Sequence, residues 1–129
     1  MRNRQIPRAE WYEFFQEFSR RHEDWLTTVR VMNQRIGSQV EARQLPLEGI
    51  VADPEATSIS IHLGRSPEKH VEHPVEKPLQ VWLELEEDGS ERALEIESAT
   101  GTKTILEFRI TQPAEMVDGL VGTAPSRAK

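Results

Sequence analysis

The chain of 129 residues contains no cysteine, and this absence removes several classes of protein at once. There can be no disulfide scaffold, no thiolate metal site and no cysteine nucleophile. No stretch approaches the roughly 20 apolar residues of a membrane span. The N-terminal residues lead into no apolar signal core, so we expect a cytoplasmic protein with no membrane segment. The length fits one domain that can bury about two-thirds of its surface.

Catalytic motifs are also absent. The sequence has no glycine-x-serine-x-glycine nucleophile turn, no glycine-rich lysine phosphate loop and no dinucleotide fingerprint. Ser19 and His22 are close in sequence but lack a third residue to orient them. This favours a non-enzymatic binding or structural role, and no cofactor is indicated.

Basic charge is scarce outside the N-terminal quarter. Residues 1–35 hold seven arginines and five acidic residues, which gives a net charge of +2. Because the whole chain has a net charge of −6, the remaining 94 residues have a net charge of −8. Phosphate contacts require a basic footprint. The charge distribution therefore argues against nucleic acid as the main partner.

An aromatic stripe is the strongest periodic signal. Trp11, Phe14, Phe15 and Phe18 recur at i, i+3, i+4 and i+7 after Pro7, which predicts an amphipathic helix over about 7–22. An exposed stripe would be a ligand groove or a docking helix. Packing against a sheet is the simpler interpretation, because the strands that follow need a cover.

The rest of the chain, about 25–110, predicts antiparallel strands. Apolar and polar residues alternate in the segments 25–32, 58–63, 79–85, 93–97 and 105–110. Prolines in 64–78 indicate a long connection or an interrupted edge strand. We predict an α+β fold, in which one N-terminal amphipathic helix packs on a twisted antiparallel sheet of six to seven strands, either open or barrel-like. Residues 1–110 would form the single domain, and 111–129 a flexible C-terminal tail.

Strand register then predicts an acidic face. Gly89-Ser90 fits a two-residue type II′ loop, which pairs Leu85 with Leu94. The outer side of these strands would align three glutamates beside an outward tryptophan and an isoleucine, and like charges directly opposite one another are destabilising. Screening by Lys103 and Arg109 would explain the row without a function. A docking surface for a basic protein partner or a second copy of the chain is the functional interpretation. The candidate binding residues are Trp82, Glu84, Glu95, Glu97, Ile105 and Glu107.

The histidines give a weaker signal. His70 and His73 are three apart and so point to opposite faces of a strand, while Pro74 opposes a helix. The sequence therefore predicts no metal site, and His62, His70 and His73 are only the weakest of candidates for one. The alternative to a binding module is a small hydrolase using a carboxylate pair across two strands or this histidine cluster.

Four segments of the chain resemble a family of small bacterial proteins of unknown function. The first is IPRAEWYEFFQEFSRRH at 6–22, and the second is LPLEGI at 45–50. The histidine-containing segment 70–75 and LEIESATGTKTILEF at 94–108 are similar to the same family. The resemblance covers most of 6–110 and implies a bacterial stand-alone domain. It implies no catalytic residue.

Overall fold

A computed structural model describes residues 2–64 and 67–109. One α-helix packs on an eight-stranded antiparallel sheet in this part of the chain, and the sheet is not closed into a barrel. The α+β prediction is confirmed. The predicted tail, 111–129, lies outside the described residues. The strands and the helix in chain order are β1 (Arg2–Ile6), α1 (Trp11–Arg21), β2 (Leu26–Asn33), β3 (Gly37–Ala52), β4 (Ser58–Leu63), β5 (Val71–Glu76), β6 (Pro78–Leu85), β7 (Glu91–Ser98) and β8 (Lys103–Arg109).

The spatial order of the strands is β1-β6-β7-β8-β2-β3-β4-β5. β1 and β5 are therefore the edge strands. β1 was not expected from the sequence, because five residues with two arginines show no apolar alternation; it pairs with β6 from Arg2 to Ile6. β5 lies in the proline-containing segment that had been expected to be a connection or an edge strand. Its Pro74 sits where an edge strand tolerates a missing N–H.

The helix buries the predicted aromatic stripe. Trp11, Phe15 and Phe18 are buried and Phe14 is partly buried against the same core. Pro7 precedes a short 3₁₀ turn, Arg8–Glu10, and α1 then ends at Arg21, where the N–H of His22 donates to the Phe18 carbonyl at 3.0 Å. The stripe is a packing surface. With only 11 residues, α1 is too short to cross a membrane, and the described residues contain no other α-helix that could.

The inner face of the sheet supplies the other half of the core. Its buried residues alternate with more exposed ones along β2 and β4, as the period-2 pattern predicts. They include Val29, Leu47, Ile50, Ile59, Ile61, Leu63, Val81, Leu83, Leu94, Ile96 and Leu106. Because one face is packed under α1, the other face of the same strands is left toward solvent.

β3 pairs with two different strands along its length, β2 and β4. Its first half pairs with β2 up to Pro46, and its second half, from Leu47 to Ala52, pairs with β4. The sequence predicts two separate strands here, one through Val40 and Ala42 and one over 47–51, but the structure has one strand of 16 residues. Beyond Pro46 the backbone of β3 loses β2 as a neighbour, and α1 fills the gap. There the Ser19 hydroxyl accepts the Ile50 N–H at 2.8 Å and donates to the Ile50 carbonyl at 3.1 Å.

Candidate functional site

The outer face carries one row of side chains across five strands. Trp82 on β6 lies opposite Glu95 on β7, and Glu95 lies opposite Ile105 on β8. The row continues through Arg30 on β2 to Val40 on β3, which is 37% exposed. We call these five residues the outer row. The first three are among the binding residues that the sequence predicts. The sequence also predicts Arg30 on the outer face but opposite Glu41, with Val40 on the inner face, whereas the structure pairs Arg30 with Val40.

The predicted register between β6 and β7 is wrong by two residues. Leu83, not Leu85, pairs with Leu94. The hairpin has a turn from Glu86 to Gly89, where the Gly89 N–H donates to the Glu86 carbonyl at 2.9 Å and Gly89 has φ +90°. A glycine in the left-handed region at the end of such a turn forms a bulge with the residue after it. The pairing shifts again between Glu84 and Leu85: Leu85 lies opposite Glu91 and Glu84 lies opposite Ala93, which leaves Arg92 as an extra residue.

In the observed register, the glutamates that the sequence predicts in one row lie apart from one another. Glu84 faces Ala93, which in turn faces Glu107, so a small buried residue lies between the two carboxylates. Glu97 lies opposite Gln80 and Lys103 rather than beside Trp82 and Ile105. None of these glutamates has another as its direct cross-strand partner.

Each of the four glutamates also forms an ion pair with a basic side chain of the same face. Glu84 pairs with Arg92 at 3.1 Å, and Glu107 pairs with Arg30 at 3.3 Å. Lys103 contacts Glu95 at 3.0 Å and Glu97 at 3.6 Å, and the hydrogen bond to Glu95 raises the pKa of its ammonium group. The face is therefore patterned with both signs of charge rather than being uniformly acidic.

Trp82 is half-exposed in the outer row. Its indole N–H donates to the Gln80 side chain at 3.2 Å, and its neighbour on β1 is Gln5. β5, the strand within the proline-containing segment, pairs with β4 at the opposite end of the sheet from β1 and β6. Part of the Trp82 side chain is thus accessible to a partner.

The histidines divide into three environments. His62 and His70 lie close together with Glu48, which the sequence analysis missed because it is remote in sequence and becomes a neighbour only through the β3–β4 pairing. His73 lies opposite Ile61 in the β4–β5 ladder, on the other face of that ladder from His62, where burial lowers its pKa and Glu41 opposes the shift.

His22 is buried at the end of α1. Its Nδ1 is 2.9 Å from the Phe18 carbonyl and its Nε2 is 2.9 Å from Glu91. The ring stacks on Phe18 with centroids 3.9 Å apart. Because both ring nitrogens are occupied and no face reaches solvent, His22 has a structural role and does not pair with Ser19 as a catalytic group.

A small cavity lies beside the histidine cluster. Its volume is about 150 Å³, and Glu23, Leu47, Glu48 and Gly64 line it. It contains none of the outer-face glutamates, so it does not provide the cleft that a carboxylate pair on that face would need for hydrolysis.

Comparison with known proteins places the chain in a family. A model described as a family of unknown function, DUF5335, matches residues 2–117. The chain belongs to the DUF5335 family. This DUF5335 chain is also similar to an uncharacterized protein of Aquifex aeolicus (strain VF5), with 28% identity over 113 residues that cover 88% of this chain and 97% of that relative. No solved structure matches it.

Proposed function

We propose that this protein is a non-enzymatic interaction module and that the outer face of its sheet binds a second copy of the chain. The observation that carries the proposal is the order of the outer row, Trp82, Glu95, Ile105, Arg30, Val40. Read from either end, the row has an apolar residue, a charge and a central apolar residue, and the two charges have opposite signs.

That order is self-complementary. A two-fold axis parallel to the strands through Ile105 would bring Glu95 of one copy against Arg30 of the other, and Trp82 against Val40. Isologous interfaces require this kind of match between two halves of one patch. Lys103 and Glu107 flank Ile105 on β8 and would face their own copies. Their partners within the chain are Glu95 and Arg30, so docking would join these two ion pairs with those of the second copy into clusters of mixed charge.

The area of the outer face sets the affinity expected for the dimer. Six strands spaced about 4.8 Å apart and about 25 Å long present roughly 600 Å². Stable interfaces bury about 800 Å² per partner. We therefore expect a dimer of modest affinity that weakens as salt rises, because part of the complementarity is ionic.

Two features of the sequence support the location, the origin and the domain bounds that we propose for this protein. The cysteine-free composition is typical of a reducing compartment and supports a cytoplasmic location. The resemblance of 6–110 supports a bacterial origin and a single domain over residues 1–110.

Sedimentation or light scattering over a range of concentrations tests the proposal. The wild type should show a concentration-dependent dimer, and Trp82→Ala should shift it to monomer. Val51→Ala is the matched control, because Val51 is 55% exposed but lies outside the outer row; it should leave the dimer unchanged.

A charge exchange separates docking from general damage. Arg30→Glu and Glu95→Arg should each weaken the dimer, and the double variant should recover it, because the intermolecular pair is then restored with its signs reversed. A wild type that stays monomeric at high concentration, or a Trp82→Ala dimer of unchanged strength, would rule out self-association through this face.

A further inference from the structure

Three polar side chains from different segments converge beside the small cavity. One ligand atom each from Glu48, His62 and His70 lies within 4.8 Å of the other two. Glu48 and His70 are exposed and His62 is half-buried, so a solute can reach all three. We call these residues the Glu–His–His cluster.

The backbone positions each member of the cluster. Glu48 sits at the irregularity of the β3–β4 pairing between Leu47 and Gly49, and the outward-facing His62 pairs with Gly49. His70 directly precedes β5. The β3–β4 pairing thus holds Glu48 and His62 in place. His70, which follows β4 in the chain, lies beside them.

Gly64 makes this position of His70 possible. It has φ +88°, and a Cβ there would lie 2.0 Å from the Lys69 carbonyl oxygen and 3.2 Å from the His70 Cα. Its N–H donates to the Pro46 carbonyl at 2.8 Å, which ties residue 64 to β3. The backbone that carries His70 is therefore seated against residue 64 in a way that only glycine permits.

The separation within the cluster fits a tetrahedral metal. His70 Nδ1 lies 3.4 Å from Glu48 Oε1. Ligands about 2.1 Å from a tetrahedral zinc are about 3.4 Å apart. His62 and His70 have ring centroids 6.0 Å apart, and both side chains are exposed enough to turn their nitrogens toward a shared ion.

We propose that the Glu–His–His cluster binds a divalent transition metal, with Zn²⁺ as the occupant. Two imidazoles and one carboxylate favour zinc over magnesium or calcium, which prefer oxygen ligands alone. Three protein ligands leave a fourth position for water or another ligand, and the cavity that shares Glu48 lies beside it. Sequence spacing suggested His62, His70 and His73; the structure replaces His73 with Glu48.

Calorimetric titration of the full, untagged chain with ZnCl₂ tests the site. The wild type should bind one Zn²⁺ per chain, and Mg²⁺ in excess should not compete. Glu48→Gln, His62→Ala and His70→Ala should each weaken binding at least tenfold. Binding should also weaken in acid, because a protonated imidazole cannot ligate a metal.

His73→Ala is the matched control, since it removes a histidine from the opposite face of the same ladder. It should retain wild-type affinity. Substitution with Co²⁺ gives a second readout, because a tetrahedral site produces visible absorption bands that His70→Ala should abolish. Absence of Zn²⁺ binding in the wild type, or binding that survives both Glu48→Gln and His70→Ala, would overturn the proposal. The dimer proposed above should be unaffected by these variants, so the two proposals fail separately.

Discussion

His22 Nε2 and Glu91 Oε1 are 2.9 Å apart, and this contact joins the end of α1 to the start of β7. Arg21 also reaches Glu91, at 2.6 Å. The imidazole is enclosed by Phe18, Trp25 and Phe108. Burial lowers the pKa of His22 and outweighs the Phe18 carbonyl and the Glu91 carboxylate, which favour the protonated ring; Arg21 acts in the same direction as burial.

This lowered pKa predicts a pH dependence of stability. The unfolded chain takes up the proton at about pH 6.5, before the folded one does, so stability is highest above that pH and falls on acidification. Between pH 7.5 and 5.5 one such histidine contributes a loss of up to about 1.4 kcal/mol. Urea unfolding at both pH values should show a smaller loss for His22→Gln.

His73 provides the comparison for this experiment. Burial lowers the pKa of His73 as well, so His73→Gln should remove its own part of the loss. The double variant should have the flattest profile. An unchanged pH dependence in His22→Gln would mean that the ring does not change protonation on unfolding.

Ser19→Ala should destabilise the fold by about 1–3 kcal/mol, because it leaves the N–H and the carbonyl of Ile50 without their partner on α1. Chemical denaturation measures the effect. Ser60→Ala is the control: that hydroxyl donates to the exposed Glu72 at 3.1 Å, so its loss should cost less than about 0.5 kcal/mol. Equal effects of the two substitutions would contradict the role given to Ser19.

Arg8→Lys should cost about 1.5–3 kcal/mol. The guanidinium donates to the Ala56 carbonyl at 2.5 Å and to the Pro78 carbonyl at 2.8 Å, and it lies 4.6 Å from the centre of the Trp11 ring. An ammonium group cannot span both carbonyls. Thermal denaturation should show Arg35→Lys, at an exposed hairpin position, to be near neutral. A neutral Arg8→Lys would show that the two carbonyls find other donors.

Gly64→Ala should be more destabilising than Gly101→Ala. Both glycines have nearly the same backbone, φ +88° and φ +87°, so the conformational strain of about 1–2 kcal/mol is common to both. A Cβ at residue 101 meets nothing within 4 Å, whereas at residue 64 it meets the Lys69 backbone. The difference in unfolding free energy therefore measures the close approach alone. Equal losses would show that the backbone of Lys69 and His70 can shift away from residue 64 at no cost.

The helix, most strands and the fold class could be predicted because they depend on local periodicity. Trp11, Phe15 and Phe18 repeat at helical spacing, and Ile59, Ile61 and Leu63 at strand spacing, and all six are buried. Each pattern is visible within a few residues of sequence. The burial of one face then requires the cover that α1 supplies.

Register and long-range contacts could not be predicted in the same way. Shifting β6 against β7 by two residues keeps Leu83 and Leu94 on the inner face, so the alternation alone does not decide between the two pairings. The turn at Gly89 and the extra residue between Leu85 and Glu84 in the pairing decide it together. The contact of Glu48 with His70 likewise depends on a bulge in β3 and a reversal at Gly64, neither of which has a periodic signature.

Because β3 pairs with both β2 and β4, its position has a consequence for how the protein unfolds. Pairing with β2 and pairing with β4 are properties of one continuous strand, and α1 is fastened to it where the partners change. Neither β2 nor β4 can lose β3 without unzipping the other. The amide protons of β2, β3 and β4 should therefore exchange with solvent as one cooperative unit, at nearly the free energy of complete unfolding.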